Sequence, residues 1–202
     1  MIITKLEVQK KDKNRVNLFV DGEFSCGLSL ETVMKNHIKE NQEISNVVLN
    51  YLKNESEFSV AMAKAGRFLA KTQKTEKEVR ENLLKKGFDI QMSQNVVEKM
   101  KEYGYVDDSL YAKNFVKFKS KLCGGKKIAF ELKQKGIDDK VIVENVSDIQ
   151  NEFSTANKLL EKYLKNKECD LKMKQKAYRF LFSRGFRNDD ILRCLNNFFK
   201  EN

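Results

Sequence analysis

Three acid-free stretches hold the side chains of this sequence best able to grip a ligand. From Phe58 to Thr75 the only charges are Lys64, Arg67, Lys71 and Lys74; from Ser109 to Phe130 they are Lys113, Lys117, Lys119, Lys121, Lys126 and Lys127; from Leu171 to Asn188 they are Lys172, Lys174, Lys176, Arg179, Arg184 and Arg187. Clustered cations attract phosphates or an acidic protein groove, with an affinity that falls as salt rises. Covalent and metal chemistry has much less to work with. His37 is the only histidine, so Ser/His and Cys/His partnerships have a single possible base, and it has no neighbouring nucleophile motif. The four cysteines, Cys26, Cys123, Cys169 and Cys194, show neither a CxxC pair nor finger spacing and read as thiols of a reducing compartment. No metal and no cofactor are expected, and stoichiometric zinc in the purified protein would contradict this. The run Cys123-Gly124-Gly125-Lys126-Lys127 resembles a phosphate cradle, but Ser or Thr is missing after the lysine and it reads as a basic loop. Asp107-Asp108 reads as a helix cap rather than a metal pair. No catalytic residue is assigned.

The elements that carry the cations repeat. Leu83, Gly87 and Phe88 recur as Leu132, Gly136 and Ile137 and again as Leu181, Gly185 and Phe186, each step being 49 residues. A leucine four residues before glycine marks a last helical turn closed by a left-handed residue, where glycine has no Cβ to clash. Acids follow that can serve the free N–H groups of a new helix: Asp89, then Asp138 and Asp139, then Asp189 and Asp190. Upstream, Thr75 and Glu78 have capping-box spacing, and Val79, Leu83 and Leu84 give the helix they open an apolar stripe. The matching stripes are Ile128 with Leu132 and Ala177 with Leu181. A preceding helix reads Phe58, Ala61, Ala65, Phe68, Leu69 in copy one, Leu110, Tyr111, Phe115, Phe118 in copy two, and Phe153, Leu159, Leu160, Tyr163, Leu164 in copy three. Three three-helix repeats result, expected over 58–105, 106–150 and 151–202.

The front of the chain, 1–57, is different. Alternation over 2–9 and 16–20 predicts strands, and Asp21-Gly22 a tight turn into a third segment with Phe24 and Cys26. Short helices are expected near 29–38 and 44–54. The fold class is therefore mainly α: a tandem array of three three-helix repeats behind a small β-hairpin or sheet with short helices. Absence of proline suits such a chain. No apolar run approaches a membrane span, no signal peptide is recognised, and a cytoplasmic monomer is the expectation.

Residues 1–50 hold seven bases and seven acids, so the whole net charge of +10 belongs to residues 51–202, which contain the array. Solvated lysine faces are common on helices. Three blocks at matching places in three copies point instead to a shared face, and stacking the copies would align them into one positive band. Phe115, Phe118 and Phe180 read as core rather than base-stacking residues. A helix-turn-helix reading of DNA sequence is disfavoured because Asp138 and Asp139 stand where a recognition helix approaches the duplex.

Two stretches, Gly104-Tyr105-Val106-Asp107-Asp108-Ser109-Leu110-Tyr111-Ala112 and Ile128-Ala129-Phe130-Glu131-Leu132-Lys133-Gln134-Lys135-Gly136-Ile137, resemble the signature region of the bacterial RecX family. The likeness extends over the array, and the β-containing front resembles the N-terminal extension of longer members; copy three departs most, with Phe180-Leu181 in place of Glu131-Leu132. The resemblance implies a modulator that lies along the groove of the RecA recombinase filament on single-stranded DNA and mostly inhibits recombination, ATP hydrolysis and co-protease activity, without catalytic residues. On charge pattern the partner-binding residues are Lys113, Lys117, Lys119, Lys121, Lys126 and Lys127, then Arg67, Lys71 and Lys74, and Lys172, Lys174, Lys176, Arg179 and Arg184. A sequence-independent DNA-binding protein acting without RecA is the second reading.

Overall fold

The computed structural model describes residues 1–168 and 170–200. Cys169, read above as an ordinary thiol, and residues 201–202 of the third copy lie outside the described residues. The chain divides into two compact units, Met1–Gln73 with Val79–Val106, and Lys74–Glu78 with Asp107–Asn202.

The first unit opens with an antiparallel sheet in the order β1-β2-β3, with β1 Ile3–Val8, β2 Arg15–Val20 and β3 Glu23–Ser29. Asp21 and Gly22 have φ of 49° and 88°, the double positive φ of a turn whose twist matches the strands it joins. The pairing shifts register between Ile3 and Lys5. That shift puts both Ile3 and Leu6 toward the core, and Val8, at the last position of β1, is 46% exposed.

Ser29 caps the short α1, Leu30–Lys35, and α2 then runs unbroken over Asn46–Leu69. Sequence periodicity splits this helix in two, and position 57, expected as a module border, lies in its interior. Residues 46–65 contain neither proline nor glycine to break the helix, and Ser56 in its interior is buried and accepts from Ser29 N at 2.6 Å, which ties α2 to the end of β3. One face of α2 lays Leu49 and Leu52 on the sheet, and further along Ala61 and Ala65 pack with α4, Ile90–Glu102, through Val96, Val97 and Met100. The small alanines let the two helices approach closely. Val79 and Leu83 of α3, Glu76–Lys85, complete this core.

The second unit contains α5 Asp108–Lys119, α6 Gly125–Gln134 and α7 Asp139–Ser147 around Ala112, Val116, Ile128, Leu132 and Ile142. It continues with α8 Glu152–Leu164, α9 Leu171–Ser183 and α10 Asn188–Lys200 around Leu160, Ala177, Leu181, Phe186 and Ile191. The expected glycine closures are present. Gly87, Gly136 and Gly185 have φ of 89°, 83° and 77°, and the next residue's N–H bonds back to Leu83, Leu132 and Leu181 respectively. Asp89, Asp107 and Asp138 cap α4, α5 and α7.

Two expectations need correction. In copy three the acids do not cap: Asp189 and Asp190 sit inside the first turn of α10, where they serve its positive end instead. In α5 the core is made by Ala112 and Val116 with Tyr111 and Phe115 at their flank, while Leu110 is 49% and Phe118 65% exposed. Phe118 is therefore not a core residue. Large side chains at helical spacing suggested the wrong stripe because the inward one is made of small residues.

The capping box is complete, with Thr75 N donating to Glu78 Oε2 at 3.1 Å and Glu78 N to Thr75 Oγ1 at 3.2 Å. Thr75 is fully buried and its hydroxyl also donates to the Lys135 carbonyl at 2.8 Å. Thr75→Ala removes the two bonds made by the hydroxyl and leaves the Thr75 N–H to Glu78 in place, and a loss of about 1–2 kcal/mol is expected in urea unfolding.

Candidate functional site

The basic residues of the second unit are positioned by one joint built twice. At the head of α3, Thr75 bonds the Lys135 carbonyl, Lys77 Nζ donates to the Gln134 carbonyl at 2.9 Å, and Glu76 N donates to Asp108 Oδ1 at 2.9 Å. At the head of α6, Gly124 N donates to the Arg184 carbonyl at 2.9 Å, Lys126 N to the Gly185 carbonyl at 3.3 Å, and Gly125 N to Glu152 Oε1 at 2.9 Å. Thr75 and Gly124, and Lys135 and Arg184, are again 49 residues apart. In each joint the positive head of one middle helix meets the negative tail of the next, and a carboxylate from the start of the following helix satisfies one more N–H.

The α6 joint is very tight. A Cβ on Gly124 would lie 2.6 Å from Phe186 Cα, and one on Gly125 would lie 2.7 Å from Glu152 Oε1. The run Cys123-Gly124-Gly125-Lys126-Lys127 is thus a packing element, with its backbone N–H groups turned to protein carbonyls and a carboxylate rather than to a phosphate. No sequence signal short of the 49-residue step distinguishes the two uses.

Around this joint cations of two copies converge. The Cys123 thiol is buried, which pushes its pKa up; Lys119, Lys127 and Arg184 all pull it the other way, and Glu131 adds to the rise. Arg184 lies over the Phe180 ring at 3.8 Å, and that ring stacks on Tyr163 at 4.1 Å. Lys119 is tied to Glu131 at 2.6 Å and lies over Phe115 at 5.3 Å, so much of its charge is already answered. Lys121 and Lys126 are exposed, and the exposed Phe118 and Leu122 belong to the same segment.

The remaining predicted residues of this unit occupy other places. Lys113 and Lys117, one turn apart on α5, line a cavity of about 530 Å³ together with Glu144 and Asp148 from the end of α7. Lys172, Lys176 and Arg179 are exposed at spacings of four and three, which sets them in one row along α9. Lys174 lies over Phe199 at 5.9 Å, and Arg187 is 3.9 Å from Glu152 Oε2. Lys74 faces Glu78, whose carboxyl burial pushes up; Lys135, 2.7 Å away, and the Thr75 N–H outweigh that, and its pKa falls below the ordinary value. The stability this group supplies is present above the usual carboxylate range and is lost as pH falls through the lowered value.

In the first unit Arg67 is exposed and donates Nε to the Ala63 carbonyl at 3.2 Å, and Lys71 is exposed just past the end of α2. Lys64 has a different setting: with Arg15, Lys53 and Lys86 it lines a cleft of about 330 Å³. Arg15 comes from a segment that looked electrically neutral when charges were summed along the chain, and Lys53 lies outside the three acid-free stretches.

With this geometry in place, four family models match the chain: "Regulatory protein RecX N-terminal domain" over 1–45, and the first, second and third RecX three-helix domains over 61–107, 107–144 and 150–195. A regulatory protein RecX from Clostridium beijerinckii is 38% identical over 193 residues, covering 93% of this chain and 91% of that protein. One from Clostridium tetani is 35% identical over 200 residues, covering 96% and 93%. A crystal structure of regulatory protein RecX aligns over 100% of this chain and 99% of that one with a TM-score of 0.74 and 20% identity. A RecX structure from Lactobacillus salivarius aligns over 72% and 97% with a TM-score of 0.63, also at 20% identity.

Proposed function

The chain belongs to the RecX family of regulatory proteins, and from that premise we propose that it regulates the RecA recombinase by lying in the groove of the filament RecA forms on single-stranded DNA. It holds back ATP hydrolysis, strand exchange and co-protease activity by occupying that groove, and no side chain makes or breaks a bond. Cytoplasmic action follows from this partner.

The observation that carries the reading is the α6 joint, which fixes Lys126, Lys127 and Arg184 of two copies around one rigid seam, with the exposed Lys121 just ahead of it in the chain. Cations held on a packed joint lose little freedom when a partner binds, and many such contacts on a polymer add by effective concentration. Phe118, Leu122 and Phe130, all exposed, offer apolar anchors among these charges. Lys119 contributes less, since Glu131 already holds it.

RecA's ATPase on single-stranded DNA tests the reading. With the full chain at far fewer than one copy per RecA protomer, strong inhibition is expected. Inhibition that appears only when enough protein is present to coat the DNA would remove RecA as the target and favour the DNA-binding alternative.

A further inference from the structure

In the first unit, the tail of α3 is the counterpart of the two tails that receive a helix head in the joints, with Lys86 and Gly87 standing 49 residues before Lys135 and Gly136. Here no helix head of this unit fills the place. It opens into the cleft of about 330 Å³, lined by Arg15, Lys53, Ser56, Lys64, Lys86 and Phe88, with Glu57 as the one acid. Among the described residues none of the four cations is in an ion pair. Their settings are nonetheless built. Arg15 Nη2 donates to the Gly27 carbonyl at 3.1 Å while its Nε is buried without a hydrogen-bond partner, and Lys64 is held over the Phe88 ring at 4.7 Å. Lys53 and Arg15 both act on the half-buried Cys26 thiol, which places the two charges close together.

A second hollow of about 810 Å³ shares Arg15, Val60 and Lys64 with the first and continues along α2 to Arg67, with Asp12 and Glu31 as its acids. From Lys53 to Arg67 the helix rises about 21 Å. Aromatic rings suited to stacking bases are lacking among the lining residues, since Phe88 is 8% exposed and covered by Lys64.

The geometry points to this groove as a binding site for the phosphodiester backbone of a nucleic acid strand, held by Arg15, Lys53, Lys64 and Lys86. Unpaired cations along an elongated hollow match a chain of phosphates, and lack of stacking rings makes the grip indifferent to sequence. Nothing in this requires RecA, so the site stands or falls apart from the proposed regulation of the filament.

The test is binding of a fluorescein-labelled oligothymidylate to the full chain, followed by anisotropy across a salt series. For Lys53→Gln with Lys86→Gln, two fewer neutralised phosphates on a single strand lower the slope of log K against log salt by about 1.4 and weaken binding about 25-fold at 0.1 M salt. Lys86→Gln alone, at an exposed position, is expected to weaken it about fivefold with no change in fold. Lys10→Gln with Lys39→Gln removes the same charge from exposed positions elsewhere in the unit and is expected to change affinity by less than about twofold. Equal losses from the two pairs, or no loss from the cleft pair, would overturn the site. Complete displacement of the oligonucleotide by millimolar inorganic phosphate would overturn its assignment to a polymer.

Discussion

Gly124→Ala is expected to lower the stability of the second unit by about 3 kcal/mol, seen as an earlier urea midpoint with an unchanged slope. The added methyl would meet the Gly185 carbonyl and the Phe186 backbone, neither of which can swing away. Relief requires the tail of α9 to withdraw, and withdrawal breaks the Gly124 N to Arg184 and Lys126 N to Gly185 bonds as well. Gly22→Ala is a useful contrast. Gly22 has a positive φ, of 88°, where Gly124 has an ordinary extended backbone, but a Cβ on Gly22 has nothing within 4 Å, so only backbone strain of about 1 kcal/mol applies. Similar losses from the two substitutions would mean that the joint is not the close-packed seam described.

Simultaneous reversal of Lys113, Lys117, Lys121 and Lys126 to Glu is expected to raise the concentration needed to inhibit RecA about a hundredfold, some 0.7 kcal/mol per side chain. All four are exposed, and none is an ion-pair partner among the described residues; Lys113 and Lys117 share a hollow with Glu144 and Asp148, so the loss is read as lost binding only with far-ultraviolet circular dichroism and the urea midpoint unchanged. Lys119 is left in place because reversing it would set a carboxylate against Glu131. Reversing Lys10, Lys39, Lys158 and Lys165, equally exposed but outside the basic blocks, gives the same net charge with the blocks intact. Inhibition by that control should stay within a few-fold of the parent. Equal loss from both sets would reduce the effect to net charge.

Much of the scaffold was legible because its signals are local. A leucine and glycine four residues apart, a threonine with a glutamate at capping-box spacing, and an Asp-Gly pair between alternating runs each specify backbone geometry within a few residues, and the structure has all three. Continuity of α2 was not legible, because its two halves bury different stripes against different partners, Leu49 and Leu52 on the sheet and Ala61 and Ala65 on α4. The inward stripe of α5 was missed for a related reason: Ala112 and Val116 are small, and burial follows the approach of neighbouring helices rather than side-chain size.

The candidate site was legible in its charges and much less in their partners. Acid-free blocks identified the cations, while the Lys119–Glu131 pair and the carboxylates beside Lys113 and Lys117 depend on tertiary packing. Glu152 had no signal at all, being one acid among many until Gly125 is seen to donate to it. The cleft in the first unit escaped because Arg15 comes from β2, Lys53 and Lys64 from α2 and Lys86 from the tail of α3, and charge summed along the chain averages Arg15 against the acids around it.

A density map of the full chain bound to RecA on single-stranded DNA addresses the central claim most directly. The account predicts α5, the α6 joint and α9 turned into the filament groove, with Lys113, Lys117, Lys121, Lys126 and the Lys172–Lys176–Arg179 row against it. Density that leaves those faces in solvent, or that places the chain on the filament end with the groove empty, would contradict it.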